Sequence, residues 1–196
     1  MTMLDLARKR RSCYALTNKI PLTEQQLFCL VREAVKQAPS AFNSQSARVM
    51  VLLAEKHHLF WQLVLGELKK IVPPEHFIQT EEKISSFDRA FGTLLFFEDI
   101  PTIQALQRRF AIYKDNFPIW AYQSNGMLEY LIWAALAEQN IGASLQHYNP
   151  LIDKAAGKVF GIPKGWELIA QMPFGVQETP VQNKTFLPVD NRVIIK

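Results

Sequence analysis

Two cysteines in 196 residues, Cys13 and Cys29, are too few for a disulfide framework and lack metal-ligand spacing. Cys13 follows a basic run that would lower its pKa, but a small semi-buried side chain outweighs a reactive thiol as its reading. Long apolar runs are also missing. The greasiest stretch, Trp120 to Ala137, is interrupted by Gln123, Asn125 and Glu129, so it reads as a buried or half-buried helix rather than a membrane span. The opening MTMLDLARKRRS has no apolar core after its charges, unlike a secretory signal, and a cytoplasmic protein is expected. There is no glycine-rich dinucleotide fingerprint, no P-loop and no nucleophile elbow. Repeats, low-complexity tracts and Gly/Ser linkers are absent, so residues 1–196 read as a single domain.

The excess of positive charge is small, +4. Basic residues form no long stripe with interleaved aromatics, so neither nucleic acid nor a membrane is the expected partner. A few arginines holding an anionic small molecule account for the same excess.

Helical signals dominate. A short helix is expected over Leu4 to Arg11, and a second opens at Thr23 with Gln26 completing a capping box. Its apolar stripe is Leu27, Leu30, Val31, Ala34, Val35 and Ala38, and Pro39 ends it. Further helices are expected over 55–72, 75–87, 103–111 and 119–139, with Gly142 as the last one's stop. Asn149-Pro150 reads as the start of another, running to about Phe160. Buried strands are expected over 48–54 and 93–97, with others over 143–147, 166–175 and 189–195. The sum is an α+β domain with a sheet covered by helices.

Three segments could carry chemistry. Arg8-Lys9-Arg10-Arg11-Ser12 offers adjacent guanidiniums and a hydroxyl suited to a phosphate, although alone it would pass as a solvated face. Ser40, Asn43 and Gln45 present hydroxyl and amide groups in a loop between a helix and a strand. Gln146 and His147 lie at a strand end, over the mouth of a sheet. His57 and His58 are adjacent, so they are expected on different sides of their helix and not as a metal pair, and no metal site is expected. Glu98-Asp99 reads as a turn.

Together these segments resemble one family. A short helix ending in RRS looks like the flavin-phosphate motif that opens nitroreductase-family proteins, and APSAFNSQ resembles that family's loop of the form S-P-S-x-x-N-S-Q. GTLLFFED, NGMLEYLIWAALAEQNIGASLQHYNP and the tail PVDNRVIIK resemble a subgroup of short nitroreductase-like oxidoreductases of bacteria and fungi. The resemblance implies a mixed, mostly antiparallel sheet flanked by helices. It also implies a homodimer intertwined through a long central helix and exchanged terminal segments, with FMN at the interface. Carried over by motif, Arg10, Arg11 and Ser12 hold the phosphate and ribityl chain. Ser40, Asn43 and Gln45 approach the ring from the partner subunit, and Gln146 and His147 lie against the isoalloxazine. Lys184 or Arg192 adds a phosphate contact. The implied activity is hydride transfer from NAD(P)H through flavin to an electron-poor small molecule such as a nitroaromatic or quinone. A flavin-binding sensor or carrier is the alternative. Two departures stand out. Tyr14 replaces a basic residue of many larger relatives, and Leu-Gln-His stands where many have Pro-Glu-Gly-like residues, so the usual contact to flavin N5 needs another donor.

Overall fold

A computed structural model of the chain describes residues 2–181 and 183–196. Its centre is β2 (Gly92–Asp99), whose alternating side chains serve two cores. Leu94 and Phe96 pack in one with Leu27, Val31, Leu128 and Ile132. Leu95 and Phe97 pack in the other with Phe60, Trp61, Val64, Ile84 and Phe87. The first core lies under α2 (Glu24–Gln37) and α6 (Asn116–Glu138). The second lies under α3 (Ala54–Leu68) and α4 (Pro74–Asp88). The helices of each layer close over one face of a central sheet, the α+β architecture expected.

Four strands run antiparallel in the order β1-β2-β4-β3. Here β1 is Ala47–Leu53, β3 is Gly142–Ala143 and β4 is Trp166–Gly175. The only parallel pairing among the described residues is a single bridge from Ser12 to Ala143. Strand β1 was expected to be covered on both faces; it forms the sheet's edge, with only Leu52 buried.

Several boundaries move for identifiable reasons. The helix α1 (Met3–Lys9) starts on a Thr2–Asp5 capping box and stops before Arg10, which turns extended. Beyond it, Cys13 N–H donates to Ala143 O at 2.9 Å, so residues 10–13 run beside β3 instead of extending the helix. The left-handed position after α6 is Asn140 (φ 59°), not Gly142. Gly142 lies in β3, where a Cβ would come to 3.0 Å from Cys13 and Leu16, so the position favours glycine. Asn149 does not cap a helix: its Oδ1 accepts from Gln171 Nε2. Helix α7 therefore starts later, at Asp153, and runs to Phe160. The short helix α5 is Ile100–Arg109. The expected C-terminal strand is an exposed tail with one 3-10 turn over Val189–Asn191. No helix among the described residues is long and apolar enough to cross a membrane.

Candidate functional site

The basic run makes a built surface. Arg8, Arg10 and Arg11 line one cleft of about 600 Å³ with Leu4, Ala7, Asn183, Lys184 and Phe186. Residues far apart in sequence thus place four cations around one opening. Arg10 is fixed there by stacking, its guanidinium carbon lying 4.2 Å from the Trp133 ring centre and 5.9 Å from that of Tyr130. Its Nε is buried and, among the described residues, has no hydrogen-bond partner. Arginines pre-set in this way around an open cleft fit a phosphate dianion.

The cleft is tied to the third candidate segment. Ser12 bridges Ala143, and the chain from there runs through Ser144 to Gln146 and His147. Gln146 is buried, its Nε2 donating to Ser144 Oγ at 3.1 Å, and it exchanges two backbone bonds with Gln171. His147 is exposed. Arg10, Arg11 and Lys184 thus line one cleft together, and Ser12 joins the chain beside it to the segment that carries Gln146 and His147, which line neither cleft.

The loop with Ser40, Asn43 and Gln45 lies elsewhere. Ser40 and Gln45 line a second cleft of about 680 Å³ with the α2 residues Phe28, Arg32, Val35 and Lys36 and the β1 residues Ala47, Val49 and Val51. Val35, expected in the core stripe, is exposed on this cleft. The loop is backbone-strained: Phe42 (φ 55°), Asn43 (φ 51°) and Gln45 (φ 49°) all take left-handed conformations without being glycine. Such a cluster persists only where surroundings over-determine it, and it marks functional loops. The clamps are visible. Gln45 N–H donates to Ser40 Oγ at 3.0 Å, and Arg48 donates to Gln45 O at 2.6 Å and to Asp99 Oδ2 at 2.7 Å. Asn43 is exposed, and its side chain does not line either cleft.

Sequence reading missed an aromatic cluster beside this loop. Phe42 stacks nearly parallel on Trp120 at 6.1 Å, and Phe110, Tyr113 and Phe117 surround it at 4.8, 6.0 and 5.3 Å. The signal was present: aromatics at 110, 113, 117 and 120 recur at helical spacing.

Three further expectations are corrected. Glu98 and Asp99 are the end of β2, not a turn. They diverge, with Asp99 on Arg48 and Thr102 while buried Glu98 accepts from Asn125 Nδ2 at 2.8 Å. Burial raises the Glu98 carboxyl. Glu129, on α6, is pushed up to about 7 by burial. His57 and His58 do not diverge; both turn to Asp88, and the ligating atoms of the three lie within 4.8 Å of one another. Both nitrogens of His57 are nevertheless consumed. A carbonyl can only accept, so His57 carries its proton on Nε2 and its Nδ1 accepts from the Thr93 hydroxyl at 2.8 Å, which itself accepts from Trp61 Nε1 at 2.9 Å. His57 Nε2 donates to Asp88 O at 3.0 Å. Cys13 is buried, and desolvation raises its thiol despite the neighbouring arginines, opposite to the lowering that the basic run suggested. Arg192 follows the 3-10 turn of the tail and lines neither cleft, whereas Lys184 lines the basic one.

Comparison with known proteins adds to this geometry. A family model described as the nitroreductase family matches residues 7–176. HBN1 of Saccharomyces cerevisiae is 33% identical over 191 residues, covering 96% of this chain and 95% of the relative. The nitroreductase CinD of Lactococcus lactis, solved in complex with chloramphenicol, superposes with a TM-score of 0.91 at 39% identity, covering all of both chains. A Desulfitobacterium hafniense nitroreductase with bound FMN shares the fold at a TM-score of 0.71 and 19% identity, over 98% of this chain and 97% of that one.

Proposed function

The chain belongs to the nitroreductase family, and from that premise we propose that it is an FMN-dependent oxidoreductase acting on electron-poor small molecules. The observation that carries the reading is the basic cleft, where Arg10, Arg11 and Lys184 meet and from which the Ser12–Ala143 bridge leads to Gln146 and His147. When bound, FMN supplies two-electron hydride transfer between NAD(P)H and the acceptor. The protein's part is placement. Arg10, pinned by Trp133, and Arg11 and Lys184 hold the phosphate; Ser12 anchors the chain beside it. Residues 146–147 face the ring edge. An open cleft admits water as the proton source, so no dedicated acid is required. The CinD structures hold chloramphenicol and 4-nitrophenol, both nitroaromatics, and the Phe42–Trp120 cluster offers flat surfaces for a molecule of that class.

We further propose a homodimer. Ser40 and Gln45 line a different cleft from Arg10 and Arg11 within one chain. A two-fold partner would bring the strained loop of one subunit to the basic cleft of the other. Three features await such a partner: the unpaired edge of β1, the exposed Ile119, Met127 and Tyr130 of α6, and the exposed Val193, Ile194 and Ile195 of the tail. With reduced nicotinamide as its electron donor, the protein belongs in the cytoplasm. The test is titration of purified protein with FMN. Uptake with a displaced visible spectrum is expected, and a protein that takes up no flavin would overturn the reading.

A further inference from the structure

The segment that leaves β3 is held by one residue of β4. Gln146 N–H donates to Gln171 O at 2.7 Å, and Gln171 N–H returns a bond to Gln146 O at 2.9 Å. The side chain of Gln171 then reaches further along the same segment. Its Oε1 accepts from Tyr148 N–H at 2.7 Å, and its Nε2 donates to Asn149 Oδ1 at 3.2 Å. Gln171 is 0% exposed, so each lost bond would strand a polar group away from water. Four bonds from one buried residue thus fix residues 146 to 149 as an arc.

The arc has a consequence for His147. The N–H groups of Gln146 and Tyr148 both turn inward to Gln171. In extended backbone successive N–H groups alternate in direction, so that of His147 turns outward. It has no acceptor among the described residues, and the residue is exposed. We propose that Gln171 is a positioning residue whose side chain holds the His147 peptide N–H as a donor to the flavin ring edge. This rests on the FMN reading above. It supplies the donor that Leu145-Gln146-His147 needs in place of Pro-Glu-Gly, and it makes the buried amide of Gln171 a determinant of flavin behaviour.

Two variants of the full-length, FMN-loaded protein test it. Gln171→Met keeps the length and removes both polar ends. Gln171→Glu keeps the acceptor for Tyr148 N–H, and the Asn149 amide can turn to donate to its second oxygen. The Met variant should bind FMN about tenfold more weakly, the equivalent of one hydrogen bond, and shift the flavin's visible spectrum and midpoint potential. The Glu variant, which keeps the acceptor for Tyr148 N–H, should restore FMN affinity, while its buried carboxyl moves the potential on its own account. Wild-type affinity, spectrum and potential in the Met variant would overturn the proposal. A second measurement needs no variant: amide exchange in wild-type protein with and without FMN. The His147 amide should go from unprotected to protected on FMN addition, while that of Tyr148 is protected in both. Uptake of FMN with an unprotected His147 amide overturns this proposal alone; no uptake at all overturns the FMN reading with it.

Discussion

Arg10 and Arg11 sit side by side in sequence but are held differently. Arg10 is stacked on Trp133, so its replacement removes packing as well as charge. Arg11→Ala should weaken FMN binding by roughly 10- to 100-fold, the range for a charge-assisted hydrogen bond, as read by flavin fluorescence titration. Unchanged affinity would remove Arg11 from the phosphate site. Glu129 makes a separate prediction about stability. Its folded pKa of about 7 lies above the ordinary 4.5, so the folded state holds a proton that the unfolded state gives up. Its share of stability is present below about pH 4.5 and is lost as pH rises towards 7. His57, lowered by burial, works in the opposite sense, losing stability as pH falls through its ordinary 6.5. The difference between wild type and Glu129→Gln isolates the first effect. Between about pH 5 and pH 7.5 the variant should gain on wild type by on the order of 1–3 kcal/mol, as read from urea midpoints. A constant difference would contradict the buried protonated carboxyl.

At the scale of elements, the strained loop and its clamp act together. Arg48→Met removes the donors to Gln45 O and the ion pair to Asp99, and should cost about 1–3 kcal/mol and raise amide exchange at Asn43, Ser44 and Gln45. A loop that exchanges as before would show that Arg48 does not hold it. The same scale shows what could be read in advance. Strand β2 and helix α2 were legible because TLLFF is buried on both sides and Thr23–Gln26 is a local capping box. Strand β1 looked equally buried in sequence, yet its apolar Val49 and Val51 line an open cleft. Sequence hydrophobicity records that something covers a face, not whether it is the same chain. The tail Val193-Ile194-Ile195 misled in the same way, reading as a strand while exposed here. The third strand shortened because Pro173, which receives the Ser144 N–H, has no N–H to return, so the pairing resumes only as the Gln146–Gln171 bridge, a tertiary effect without local signature. Within the site, RRS and the S-x-x-N-S-Q loop were readable as motifs. The role of Phe42 was not, because its partners lie some 70 residues away on α6 and the turn that precedes it.

In the proposed homodimer one chain supplies half of each site. One chain carries the basic cleft and the 146–149 arc, and its strained loop serves a different opening. Removal of residues 185–196 should shift the protein from dimer to monomer in sedimentation and lower FMN affinity at least tenfold. A truncated chain that remains a flavin-loaded dimer would exclude the tail from the interface. The central claim, that the basic cleft makes this protein a flavin enzyme, is tested most directly by one spectrum. Purified protein saturated with FMN and freed of excess is mixed anaerobically with NADH or NADPH. The account predicts a bound flavin spectrum that bleaches on mixing and returns when a nitroaromatic or quinone is added. A protein that carries no flavin after loading would contradict it.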